Sequence, residues 1–195
     1  IKPLKKKDIT ENHLIFLATV IESYVKQKYS YENKCIWKKL SLDKIQLPVD
    51  QTGQPDWDYM EAFMEQINQQ AQARLNEYKE GKLEYTTLDS KIGYTPVDTE
   101  SWQEFRVGDV FDIDSSKKIY HAINVTIIPT QEEGYYPYVV RQKSNNGIRG
   151  YIKEDLQTLN PANTITFAQD TAELFWQSQP YFTGNKVKVM TVKDK

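Results

Sequence analysis

Between Tyr138 and Tyr151 the chain reads Tyr-Val-Val-Arg-Gln-Lys-Ser-Asn-Asn-Gly-Ile-Arg-Gly-Tyr, which places Arg141, Lys143, Ser144, Asn145, Asn146 and Arg149 within one short stretch. These residue types can read nucleic-acid bases. An arginine fork bonds guanine bidentately, an asparagine amide does the same with adenine, and lysine neutralises phosphate. An apolar run precedes them, so they would sit on a loop that leaves a strand. For Arg141, Lys143 and Arg149 a solvated loop is the competing reading. Asn146-Gly147 is also a turn signal in its own right, which favours a structural duty for that pair. Lys117 and Lys118, with Tyr120 beside them, form a second candidate loop. Lys5–Lys7 and Lys38–Lys39 would serve a phosphate backbone or stand as solvated runs.

Catalytic patterns fail on spacing. Pro55-Asp56 and Glu80-x-Lys82 mimic a nuclease signature, but a single helix between them would hold the two carboxylates tens of ångströms apart, too far to share a metal. There is no Gly-rich phosphate loop, no dinucleotide fingerprint and no Asn-Pro-Pro-aromatic methyltransferase motif; Asn160-Pro161-Ala162-Asn163 does not qualify. His13 and His121 lack neighbouring Cys or His at ligand spacing, so both read as incidental. No catalytic residue, metal site or cofactor site emerges.

The 195 residues suffice for one large or two small domains with a real core. The lone cysteine, Cys35, cannot make an internal disulfide, which points to a reducing cytoplasm. No apolar run approaches the roughly 20 residues that span a bilayer, and the basic start IKPLKKK lacks the apolar core of a signal peptide. The net charge of −2 conceals an asymmetry: residues 1–50 carry +4 and residues 51–100 carry −6. Phosphates would be repelled by that acidic block, which reads as a solvated helix face or as a docking surface for a basic partner.

The elements that must position these residues follow from periodicity. Thr10 is a plausible cap for a first helix, with a core stripe at Leu14, Phe16–Leu17, Val20–Ile21 and Tyr24–Val25. A short strand at Ile45 and Leu47 stops at Pro48, and Pro55 then stands at the first position of a second helix reaching from about Asp56 to Glu80 and stopping at Gly81. That helix, about 37 Å long, has one narrow apolar stripe (Met60, Phe63–Met64, Ile67, Ala71, Leu75, Tyr78), which suits a spacer pairing with another helix. Residues 83–100 are a linker in composition. Beyond them Phe105–Ile113, Ile123–Ile128, Tyr135–Val140, Thr164–Ala168, Leu174–Trp176 and Val187–Val192 read as strands. The fold class is α+β.

Three stretches carry a resemblance. Ile45-x-Leu-Pro-Val followed by Gly53-x-Pro-Asp-Trp-x-Tyr-Met60 resembles the end of a target recognition domain in the DNA specificity subunits of type I restriction-modification enzymes and related systems. Trp102-Gln-Glu-Phe105-Arg-Val-Gly-Asp-Val-Phe111 resembles the start of such a domain, with the aromatics as packing anchors. Ser144-Asn-Asn-Gly-Ile-x-Gly-Tyr151 is similar to a loop that follows a strand in the family.

The resemblance implies β-rich recognition-domain halves joined by a spacer helix. Residues 1–54 would be a closing part, 55–82 the spacer, 83–100 a linker and 101–195 the opening part of another domain. It implies double-stranded DNA as ligand and a bipartite site. The implied partners are methyltransferase subunits, which would bind S-adenosylmethionine, and a nuclease subunit. The chain itself would be non-catalytic. A long spacer disfavours the two parts closing on each other, so two copies would complete their domains by exchange as a homodimer, or the missing parts would be supplied covalently by a longer subunit. The competing function is a protein-interaction module with Tyr29, Tyr31, Tyr135 and Tyr136 as its hot spot.

Overall fold

The computed structural model describes residues 9–30, 32–82, 99–169 and 171–193. Lys5–Lys7, Tyr31 and nearly all of the expected linker lie outside them. The first helix, α1 (Glu11–Lys28), starts where the sequence placed it. The Thr10 hydroxyl accepts from His13 N, and His13 Nδ1 accepts from Thr10 N, so an imidazole fills the place usually taken by Glu or Gln in a capping box. His13 is thereby explained structurally. Leu14, Leu17, Ala18, Ile21 and Val25 recur at helical spacing and are buried.

The chain divides into two units, residues 1–45 with 104–195 and residues 46–103. In the first, α1 lies against β7 (Glu173–Gln177) and β6 (Thr164–Ala168). These strands belong to a four-stranded sheet in the order β3-β9-β6-β7, with β3 at Phe111–Ser115 and β9 at Val187–Val192. Its pairings are antiparallel, with Phe111 opposite Val192, and Thr166 between Phe175 and Val189. Every residue of β6 is buried, as its central place under α1 requires. A second sheet has the order β5-β4-β8, from β4 (Tyr136–Val139), β5 (Ile148–Ile152) and β8 (Phe182–Thr183). A third pairs β1 (Lys44–Leu47) with β2 (Gln103–Arg106).

Four expectations are corrected. Residues 105–113 are not one strand, because a helical turn at Val107–Val110 interrupts them. Val107 N and Gly108 N donate to Asp43 O and Ser41 O, which turns the backbone away from the ladder and drops Val107 and Val110 into the core. Residues 123–128 form no strand; a short 3₁₀ turn covers Ala122–Asn124, and only Ile128 pairs, with Tyr151. The stretch ending at Tyr151 is half strand, since Ile148–Ile152 is β5. Finally, the long helix does not keep the described residues up to Ile45 from grouping with those from Glu104 onward in one unit.

Asp43 is the anchor of that joining segment. Its buried carboxylate accepts from Lys28 Nζ and from the Tyr29 hydroxyl. Beside it burial pushes the Cys35 thiol up to about 12, with the Asp43 charge adding to the effect, so this cysteine stays an unreactive core thiol.

A one-turn helix, α2 (Trp37–Leu40), precedes β1, and the second unit is built on α3 (Trp57–Lys79). Asp56, not Pro55, caps it, through Tyr59 N at 2.9 Å. Pro55 precedes the cap and pairs with Val49 across a turn knotted by Asp50, whose carboxylate accepts from Thr52 N, Thr52 Oγ1 and Gln54 N. Those bonds, that of the Thr52 hydroxyl first, hold the Asp50 carboxyl below the usual carboxylate range. Along the α3 stripe Met60 is buried, while Ile67, Leu75 and Tyr78 stay 40–42% exposed. Trp102 meets Tyr59 edge-on, an anchor as expected. Among the described residues no helix is long and apolar enough to cross a membrane.

Candidate nucleic-acid interface

The second sheet and its loops hold the candidate residues. Tyr120, Tyr138, Ile152 and Phe182 form a buried cluster under them, with Tyr120 and Phe182 edge-to-face at 5.3 Å. Ile119 bridges Thr183 in parallel, and Tyr120 N donates to Thr183 O, so the 117–120 segment extends the sheet beyond β8. Buried Asn160 pins that segment, accepting from Lys117 N and donating to Tyr181 O. The Tyr138 hydroxyl completes the join by donating to Tyr120 O at 2.6 Å.

A concavity of about 250 Å³ opens over this frame, lined by Tyr120, His121, Ala122, Tyr138, Val140, Arg141, Arg149 and Asn185. Arg141 follows the end of β4 and Arg149 lies on β5, so the hairpin brings both arginines to the lining of one cleft with a Tyr-lined wall. Lys118 stands over the Tyr120 ring at 4.7 Å, adding a third cation at that wall. Lys117 turns aside, its Nζ 3.5 Å from Gln157 O.

Between the arginines the chain is fixed from within. Asn145, Asn146 and Gly147 all take positive φ (51°, 52° and 75°), the left-handed geometry to which Asn and Gly are best suited. Asn145 Nδ2 donates to Ile148 O, Asn146 Nδ2 to Trp176 O, and Gln177 Nε2 to Asn146 O. Both asparagine amides thus donate to the protein's own backbone and help to shape the loop. Ser144 is exposed, and its carbonyl accepts from Gly147 N. Sequence reasoning missed His121, Tyr138 and Asn185; His121 adjoins Tyr120, but Asn185 reaches the cleft only through the fold.

Lys143 points to a different neighbourhood. Its Nζ is 3.8 Å from Oε1 of buried Glu173, while its side chain remains 80% exposed and open to a phosphate. Burial raises the Glu173 carboxyl pKa, and a hydrogen bond with Glu22 on α1 raises it further; Lys26 and Lys143 oppose. A raised folded-state pKa favours folding below the ordinary carboxylate value, and that contribution is lost as pH climbs through the folded value. Glu173→Gln should therefore gain stability over the wild type at pH 8, with the gain shrinking toward pH 5. Urea unfolding at several pH values checks this, and a constant difference would refute it.

Asp56 and Glu80 stand at opposite ends of α3, which at 23 residues is about 34 Å long. Of the proposed tyrosine hot spot, Tyr29 bonds Asp43 and Tyr136 packs edge-on against Phe182 at 6.1 Å. Lys38 and Lys39 lie on a helical turn, with Lys39 Nζ on Asn33 Oδ1.

Residues 99–195, which include the cleft, match the family described as type I restriction modification DNA specificity domain. Residues 99–195 are thus similar to the DNA specificity domains of that family. Over 146 residues it is 27% identical to the type II restriction enzyme BgcI specificity subunit of Heyndrickxia coagulans, an alignment covering 74% of this chain and 38% of that subunit. The chain thus spans less than two-fifths of that specificity subunit's length. No solved structure matches it significantly. Similarity to the specificity family supports a role in DNA recognition.

Proposed function

We propose that this chain reads DNA sequence for a restriction-modification system, with the cleft between Arg141 and Arg149 as its reading surface. The observation that carries the proposal is the convergence of these two arginines, with Lys118 and Tyr120 at the wall, on one concavity of the residues that match a specificity domain. Their forks would bond guanine edges in the major groove, and Lys117, Lys118 and Lys143 would set register on phosphates. The chain would do no chemistry. A methyltransferase partner would bind S-adenosylmethionine and modify the DNA, and a nuclease partner would cut it.

In the same proposal α3 is the spacer that separates two parts of a bipartite site. Its open stripe at Ile67, Leu75 and Tyr78 is the face on which a helix of a second copy would pack. The acidic side chains of residues 51–100 make this region a docking surface for the methyltransferase rather than for DNA.

The test is selection of duplexes from a randomised pool by the full chain, followed by affinity measurement over a salt series. Enrichment of a defined sequence, bound with a steep fall in affinity as salt rises, is the expected result. Binding without enrichment, or no binding, would overturn the proposal. A concentration-independent monomer by sedimentation would remove the second copy while leaving the reading cleft in place.

A further inference from the structure

Ile123 is 90% exposed, the most exposed of the large hydrophobic side chains in the described residues. It does not hang on a loose loop. The turn Ala122–Asn124 is closed by Asn124 N donating to His121 O at 2.8 Å. On either side of Ile123, Ala122 and Val125 pack against the Tyr120–Tyr138–Phe182 cluster. The fold thus half-buries Ala122 and Val125 against that cluster and leaves the Ile123 side chain out in solvent. His121 and Ala122, which precede it directly, line the cleft of Arg141 and Arg149. The turn that presents this exposed side chain borders the proposed reading surface.

We propose that Ile123 contacts the C5-methyl group of a thymine in the bound DNA and so sets the preference at one base pair. This rests on the DNA-recognition reading above. The chemistry follows from the groove. Arginine forks that bond guanine O6 and N7 do so in the major groove, and the thymine methyl is the one apolar group that base pairs display there. A branched aliphatic side chain presented by a closed turn beside such forks is complementary to it and to no other base edge. Ile123 would distinguish thymine from cytosine, which offers a donor and no methyl.

The experiment uses the full chain, its Ile123→Ala and Ile123→Leu variants, and the duplex selected by the wild type from the randomised pool. Each thymine of that duplex is replaced in turn by deoxyuridine, which deletes only the methyl group. For the wild type, one replacement should weaken binding about fourfold, the worth of one buried methyl at about 0.8 kcal/mol. Ile123→Ala should be indifferent to that replacement while keeping the wild-type salt dependence, and Ile123→Leu should recover part of the discrimination. An exposed side chain leaves folding intact on substitution, so a loss of binding through unfolding is not expected. The inference fails if no thymine is methyl-sensitive, or if Ile123→Ala discriminates as the wild type does; the DNA-recognition reading survives either result. If the wild type selects no sequence at all, both fall together.

Discussion

Alanine at both Arg141 and Arg149 is expected to remove most of the chain's ability to tell one duplex from another. A bidentate arginine–guanine pair discriminates against the wrong base by about 1–3 kcal/mol, so two such pairs together amount to a hundredfold or more. The cleft makes the pair a unit: the residues come from β4's end and from β5, joined by a loop whose asparagines bond inward. Both side chains are exposed and the floor beneath is formed by Tyr120 and Tyr138, so their removal should leave the unfolding midpoint almost unchanged. Each single variant should relax preference at a different base pair. Affinities of the two single variants and the double variant for the selected duplex and its point-substituted forms check this. Uniform weakening on every sequence, with the salt slope reduced by about one per arginine, would make them phosphate contacts instead.

How far such a site is legible in sequence depends on where its determinants lie. Arg141 and Arg149 stand out in the sequence because their chemistry is unusual after an apolar run, and the structure brings both to one cleft. The bond from Asn145 to Ile148 O was not legible, since it depends on how the loop folds. Asn185 lies 36 positions beyond Arg149 in the chain and reaches the cleft because Gly184 N is held by Val139 O. The same distinction runs through the fold. The ends of α3 are local: Asp56 caps one and Gly81 follows the other, so expectation and structure differ by a residue at each end. The failures are tertiary. Ile123, Val125 and Ile127 alternate like a strand, but Val125 and Ile127 pack on a cluster and no ladder forms, leaving Ile123 outside. Residues 107–110 coil because backbone carbonyls some 65 positions earlier in the chain capture their amides, which no local pattern reveals.

Those captured amides identify the substitution expected to damage the fold most. A Cβ at Gly108 would stand 2.7 Å from Ser41 O, the very carbonyl that accepts from Gly108 N, and 3.1 Å from Ser41 Cβ. Backbone cannot yield as a flexible side chain end does, so a side chain at 108 must push the 41–43 segment off the turn. The bond from Val107 N to Asp43 O would go with it, and the Lys28 and Tyr29 contacts to Asp43 would be strained. Lys193 Nζ, which donates to Gly108 O at 2.6 Å, ties the end of β9 to the same point. Gly108→Val should therefore cost about 3 kcal/mol, the upper range for overpacking, read as a lowered urea midpoint. Gly81 is the matched control, because a Cβ there meets nothing within 4 Å; Gly81→Ala should cost no more than the strain of its left-handed backbone, about 1 kcal/mol. If Gly108→Val proved as mild as the control, the N-terminal segment would not close on the C-terminal sheets of its own unit as the structure shows. A large loss that grew on dilution of the protein would instead mean that the segment came from a second copy, since only an intermolecular join depends on concentration.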